Sequence, residues 1–173
     1  MSTPDRTEVI VDGDLLQAGD ADYDDARRVF NTLYDRHPAA IARCASERDV
    51  VAALRYASRR GLAVSVRAGG HSAAGFSVAD DAVVIDVRGL KAVTVDRFAR
   101  RARVGAGLTW AELDAATQQF GLAVTGGRMS TTGVAGLTIG SGSGTGRSAA
   151  AAGTSASSPS SRSSSWKIGR AHV

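Results

Sequence analysis

Leu62-Ala63-Val64-Ser65-Val66 runs directly into Arg67-Ala68-Gly69-Gly70-His71-Ser72-Ala73-Ala74-Gly75-Phe76-Ser77, and the reading of that junction decides the fold. The first five residues are apolar or β-branched and predict a strand. The next eleven are mostly small, with a single histidine among them. Small residues let backbone N–H groups converge on an anion, the nest geometry that holds phosphates. The same composition also marks an ordinary surface turn, in which His71 would simply be solvated. The surrounding chain has to decide between the two.

Upstream, Ala39 to Cys44 reads as a short apolar strand. Ser46 opens a helix, with Asp49 three residues on as a capping-box variant. Val50, Val51, Leu54, Ala57 and Ser58 are the expected inward face, and Gly61 is placed to stop the helix. Strand, helix and strand in this order call for a parallel pair joined by a right-handed crossover. Before His37 the chain is polar and acidic, and Tyr23, Ala26, Val29, Phe30 and Leu33 recur at helical spacing. They predict a helix from Tyr23 to Tyr34 within an N-terminal arm, residues 1–35.

Downstream, Ala82 to Asp86, Ala92 to Asp96 and Arg101 to Val104 predict three short strands. Thr109-Trp110-Ala111-Glu112 is a capping box. Its helix is expected to reach Phe120, with Leu113, Ala116 and Phe120 inward and Gly121 as the stop. Leu122 to Thr125 predicts a further strand. A second small-residue stretch then follows, Gly126 to Gly140, so strand, helix, strand and glycine loop occur twice. The main domain is expected over residues 36–140. From Ser141 to Ser165 the chain is almost all Ser, Ala, Gly and Thr. Such a composition cannot bury enough apolar surface to offset its ordering entropy, and predicts disorder. Lys167 to Val173 looks like a translated sequencing adapter; the two readings of residues 141–173 are an artefactual end or a genuine flexible tail.

Composition narrows the function. The 173 residues are 43% hydrophobic and 22% charged, ordinary for a soluble globular protein. The net charge of +4 comes entirely from Arg147, Arg162, Lys167 and Arg170, so the body up to Gly140 is neutral. That argues against a nucleic-acid-binding face. Cys44 is the only cysteine, and His37, His71 and His172 are too scattered for metal-ligand spacing. No apolar run approaches the roughly 20 residues that span a bilayer. Met1-Ser2-Thr3-Pro4-Asp5-Arg6 does not begin a signal peptide, so the cytoplasm is the expected location and no membrane partner is expected. Gly105-Ala106-Gly107 places Trp110 where a dinucleotide fingerprint needs its third glycine. A Walker A lysine and a nucleophile elbow are both missing.

Several motifs in sequence carry a resemblance. Arg67-Ala-Gly-Gly-His71-Ser-Ala-Ala-Gly75, Val83-Val84-Ile85-Asp86, Gly105-Ala106-Gly107-Leu108-Thr109-Trp110 and Ser130-Thr-Thr-Gly-Val-Ala-Gly-Leu-Thr138 occur in that order. Over residues 14 to 140, including Gly19-Asp20-x-x-Tyr23, the chain resembles the PCMH-type FAD-binding domain of berberine-bridge-enzyme-like, oxygen-dependent FAD-linked oxidoreductases. These belong to the vanillyl-alcohol-oxidase superfamily. The resemblance implies an α+β fold with strand–helix–strand units and two glycine-rich cofactor loops.

It also implies FAD as cofactor and a small organic substrate in full-length relatives, with electrons passed to oxygen. By position, Arg67, Ala68, Gly69, Gly70, His71, Ser72 and Gly75 would surround the FAD pyrophosphate. His71 would bond covalently to the flavin 8α-methyl carbon, an imidazole being a competent nucleophile. Gly127, Thr131, Thr132, Gly133, Val134, Gly136 and Leu137 would form the second cofactor loop. Met129 stands where bicovalent relatives carry a linking cysteine, so a single link is expected. Arg67 reads either as a phosphate neighbour or as a solvated strand-end charge. Thr109 and Trp110 read as helix cap and core, and Cys44 as a small core residue. After Gly140 the resemblance stops, so the family's substrate domain and catalytic residues are expected to be missing. The alternative function is a non-catalytic nucleotide- or phosphate-binding fragment, or one that does not fold stably.

Overall fold

The computed structural model describes residues 12–140 together with the backbone of Ser164–Lys167 and Gly169–Arg170. The chain divides into two compact units, Met1–Leu90 and Lys91–Val173.

In the first unit, β1 (Asp14–Leu16) leads through a turn into α1 (Tyr23–Arg27), followed by β2 (Ala40–Arg43), α2 (Glu47–Arg59), β3 (Val64–Arg67) and β4 (Val83–Asp86). The strands form one sheet in the order β1-β2-β4-β3. β1 is antiparallel to β2, while β2 and β3 both run parallel to β4. The two strands flanking α2 are therefore parallel but not neighbours, which corrects the expected pair. All four β4 residues are buried, so this strand belongs in the sheet interior, where both faces are covered. Leu16, Tyr23, Ala26, Ile41, Val78 and Val84 form one core cluster, with Val29 packed against it.

The expected helix over Tyr23–Tyr34 stops at Arg27, because its next hydrogen bond is exchanged for two others. In a continuing helix the Phe30 amide would donate to the Ala26 carbonyl. Instead, Phe30 N–H donates to the Gly70 carbonyl at 3.1 Å, and the Ala26 carbonyl accepts from Arg67 Nη1. Tertiary contacts override the helical periodicity here.

α2 begins as expected. Ser46 Oγ accepts from the Asp49 amide, and the Asp49 carboxylate accepts from the Ser46 amide at 3.0 Å. The buried face, however, is Asp49, Ala53, Tyr56 and Ala57, while Val51 and Leu54 are exposed. The cap explains the rotation. Asp49 also accepts from the Asp12 and Ala45 amides, and once it points inward the residues four, seven and eight further on share its stripe. Just past the helix end Gly61 takes a φ of +63°, and the Leu62 amide reaches back to the Ala57 carbonyl. Cys44 is buried, as expected of a small core residue.

In the second unit, β5 (Val93–Asp96) and β6 (Arg101–Val104) pair antiparallel, followed by α3 (Trp110–Gln118), β7 (Leu122–Ala123) and α4 (Val134–Ile139). β8 (Ser164–Lys167) pairs antiparallel with β6, and β9 (Gly169–Arg170) with β7. Strand pairing is made by backbone groups, so a serine-rich composition does not prevent Ser164 and Ser165 from joining β6. The disorder expected from Ser141 otherwise falls outside the described residues. The second strand–helix–strand run thus forms antiparallel pairs and does not repeat the first.

α3 carries the capping box that its sequence announces: Thr109 Oγ1 accepts from the Glu112 amide, and Thr109 N–H donates to Glu112 Oε2 at 2.7 Å. Lys91 Nζ holds the same carboxylate at 2.6 Å, and this ammonium, with the Thr109 bonds, holds Glu112 below the usual carboxylate range. The inward residues are Trp110, Leu113 and Thr117. Phe120 lies past the helix end and is exposed, contrary to its expected place. Ala102, Val104, Leu108, Trp110, Leu113, Leu122 and Val134 make the core of this unit.

Candidate functional site

β3 delivers the chain into the small-residue loop with its side chains alternating out and in, so that Ser65 and Arg67 point inward. Arg67 is 7% exposed, which removes the solvated strand-end reading. Its Nη1 is spent on the Ala26 carbonyl, and its Nε is buried with no hydrogen-bond partner. Asp86, opposite Arg67 in the β3–β4 register, is held by Arg88 through Nε and through Nη2 at 2.6 Å. Burial pulls the Arg67 guanidinium down to about 10; the Arg88 charge pushes the same way and Asp86 opposes it. Arg67 therefore places a desolvated positive charge beneath the loop.

Gly70 and Gly75 adopt φ of +69° and +74°, the left-handed conformation that favours glycine. Gly70, Gly75 and Ala68 are buried, whereas Gly69, His71 and Ser72 are half-buried. Ser72 ties the end of the loop: its carbonyl accepts from the Gly75 amide and its Oγ from the Phe76 amide, both at 3.1 Å. Among the described residues, the amides of Gly69, Gly70, Ser72 and Ala73 donate to no backbone acceptor.

Residues 29–34 lie along this loop. Phe30 stacks on His71 with ring centroids 4.3 Å apart and planes inclined 19°. Asn31 Nδ2 donates to the Ala73 carbonyl at 3.2 Å, and the Tyr34 ring sits where a Cβ on Gly75 would be. Sequence reading missed this strap. Its residues recur at helical spacing, and the exchange that ends the helix is invisible to periodicity.

The second glycine stretch is built differently. A Cβ on Gly126 would clash with the Trp110 indole, and one on Gly127 would meet Leu137 Cδ2 at 2.9 Å and the same indole at 3.1 Å. The chain then folds back over the start of α3. The Thr132 and Ser130 carbonyls accept from the Trp110 and Ala111 amides at 3.0 Å, and the Val134 amide donates to the Leu108 carbonyl at 2.8 Å. With Glu112 N–H taken by Thr109, the first three α3 amides are spent inside the protein. Residues from Val134 form α4 where the sequence reads as open loop.

The structure thus keeps Gly127, Thr132, Gly133, Val134 and Leu137 in one folded element against Trp110. Val134 turns its side chain into the core, while Thr131 and Gly136 are exposed. Met129 is exposed as well, and Trp110 Nε1 is buried without a partner. Among the described residues there is no group of His, Cys, Asp and Glu able to hold a metal, and no helix long and apolar enough to cross a membrane.

A protein-family profile described as an FAD binding domain matches residues 38–155. The chain belongs to that FAD-binding family. Its α+β fold is the PCMH type, and it is the FAD-binding domain of BBE-like, FAD-linked oxidoreductases in the vanillyl-alcohol-oxidase superfamily. The domain is 33% identical over 139 residues to (R)-6-hydroxynicotine oxidase of Paenarthrobacter nicotinovorans, a match covering 80% of this chain and 30% of that protein. An FAD-linked oxidoreductase of Bacillus subtilis, YgaK, is 32% identical over 128 residues, covering 74% and 28%.

Among solved structures, 6-hydroxy-D-nicotine oxidase from Arthrobacter nicotinovorans superposes with a TM-score of 0.74 at 32% identity, covering 79% of this chain and 29% of that one. BBE-like 1 of Physcomitrella patens gives 0.69 at 28% identity, covering 73% and 28%. The chain thus spans about 30% of the length of such relatives.

Proposed function

We propose that this domain holds the FAD of an oxidase that removes electrons from a small organic molecule and passes them to dioxygen, with the flavin attached through His71. The observation that carries the reading is the loop itself. A histidine stands between two left-handed glycines, over a buried cation, in a stretch where the amides of Gly69, Gly70, Ser72 and Ala73 donate to no backbone acceptor among the described residues. Such a loop suits a pyrophosphate: backbone N–H groups can converge on its oxygens, and the desolvated Arg67 charge acts at low dielectric. Arg67, Ala68, Gly69, Gly70, Ser72 and Gly75 form this cradle in our reading. In the same reading Gly127, Thr131, Thr132, Gly133, Val134, Gly136 and Leu137 form the second cofactor loop.

FAD, once bound, supplies two-electron redox chemistry, while the protein holds and orients it. His71 supplies an imidazole nitrogen that bonds to the 8α-methyl carbon. In the net reaction one N–C bond forms, one hydrogen leaves the imidazole and one leaves the methyl group. Dioxygen takes up both hydrogens with their two electrons as hydrogen peroxide. Turnover of the organic substrate belongs, in this reading, to the whole oxidase.

FAD titration of the purified chain tests the cradle. Quenching of flavin fluorescence that saturates at one equivalent supports it. A chain that is folded by circular dichroism and leaves the fluorescence of added FAD unchanged overturns it, leaving a fragment without cofactor binding.

A further inference from the structure

Phe30 is 63% exposed and belongs to neither apolar core, although its neighbour Val29 packs inward. An isolated exposed phenyl needs no explanation. This one is stacked on the one histidine of the glycine loop and is anchored there by the backbone. Its own amide is bonded to Gly70, the residue before His71, and the next side chain, Asn31, is bonded to Ala73, two residues after it. The hydrogen bond that α1 gives up is what brings Phe30 to this position. We propose that Phe30 is a positioning residue that fixes the plane of the His71 imidazole for attachment to the flavin, an inference that rests on His71 being the attachment point.

The physical argument is one of orientation. Bond formation needs an imidazole nitrogen lone pair directed at the methyl carbon, so the plane of the ring matters to the joining step. A near-parallel phenyl at 4.3 Å covers one face of the imidazole and so constrains the plane in which its nitrogens lie. A stacked aromatic contact is favourable beyond the area it buries, which biases the imidazole toward this plane. Restricting a nucleophile to its reactive orientation raises the rate of the joining step without being part of it. Phe30 itself donates and accepts no proton.

The test follows acid-stable flavin with time after FAD is added in air to the flavin-free chain. We expect Phe30→Leu to slow attachment about 3- to 10-fold, the range that one aromatic contact controls, and Phe30→Tyr to restore it. Two further measurements separate positioning from general packing. The His71 ring-proton resonances should be shifted upfield in the wild-type chain and in Phe30→Tyr, and should lose that shift in Phe30→Leu. In a His71→Ala background, Phe30→Leu should leave reversible FAD affinity unchanged.

An attachment rate in Phe30→Leu equal to wild type overturns the role of Phe30 alone. So does slowing accompanied by weakened reversible binding in the His71→Ala background. A wild-type chain that binds FAD but never forms acid-stable flavin overturns the reading of His71 and, with it, this inference.

Discussion

The Tyr34 ring occupies the space where a side chain at Gly75 would begin: a Cβ built there comes 2.5 Å from Cδ1 and Cγ. This contact closes the far end of the glycine loop, as the Phe30 amide closes its near end. Gly75→Ala would add a positive-φ penalty to a clash with a ring. The expected cost is about 2–4 kcal/mol, combining left-handed strain with overpacking. Gly61→Ala is the control, because Gly61 has a similar φ of +63° and nothing within 4 Å of a built Cβ. It should cost only about 1 kcal/mol. Urea unfolding of the two variants gives the comparison, and equal losses would contradict the packing role of Tyr34.

A second prediction concerns Asp49. Its carboxylate accepts from three backbone amides, those of Asp12, Ala45 and Ser46, each at 3.0 Å. Ser46→Ala removes one half of the capping box and should destabilise by about 1 kcal/mol. Asp49→Ala strands several partly buried donors, so its loss should be larger, about 3 kcal/mol. Equilibrium denaturation of both variants checks the order. If Ser46→Ala proves the more damaging, Asp49 is not the anchor of the β2–α2 junction.

Much of the fold was legible because it rests on local chemistry. Ser46 with Asp49, Thr109 with Glu112, and the stops at Gly61 and Gly121 are all set within a few residues of themselves, and the structure contains each of them. What the sequence did not disclose depends on distant partners. Sheet order was hidden because β4 enters between β2 and β3 only after the loop has been crossed. The α2 face was misjudged because Asp49, a charged residue, is buried by bonds from Asp12 and Ala45.

The candidate site divides in the same way. The glycine loop and His71 are visible as a motif, whereas Arg67 turned inward and Phe30 laid on His71 follow from one exchange of hydrogen bonds between α1 and the loop. α4 was missed because Val134-Ala135-Gly136-Leu137-Thr138-Ile139 follows a glycine N-cap that offers no side-chain signal.

Cys44 provides a pH prediction. Burial, with Asp49 and Asp86 adding to it, pushes its thiol up to about 12. The folded chain therefore keeps this proton over a range in which the unfolded chain, with an ordinary thiol near 8.5, has lost it. Since the native state binds more protons there, stability falls as pH rises above about 9. Cys44→Ala should show a shallower decline, by up to about 1.4 kcal/mol per pH unit. In the native chain at pH 8 the thiol should resist disulfide reagents and should react at once in denaturant. Rapid labelling without denaturant would contradict the buried placement.

The central claim is that this loop holds FAD with His71 as its anchor, and intact-mass measurement of the chain after incubation with FAD in air tests it most directly. The account predicts a denatured chain heavier by the mass of FAD less two hydrogens, with the adduct on the peptide containing His71 and no adduct in His71→Ala. A chain that remains at its own mass, or an adduct that persists in His71→Ala, would contradict it.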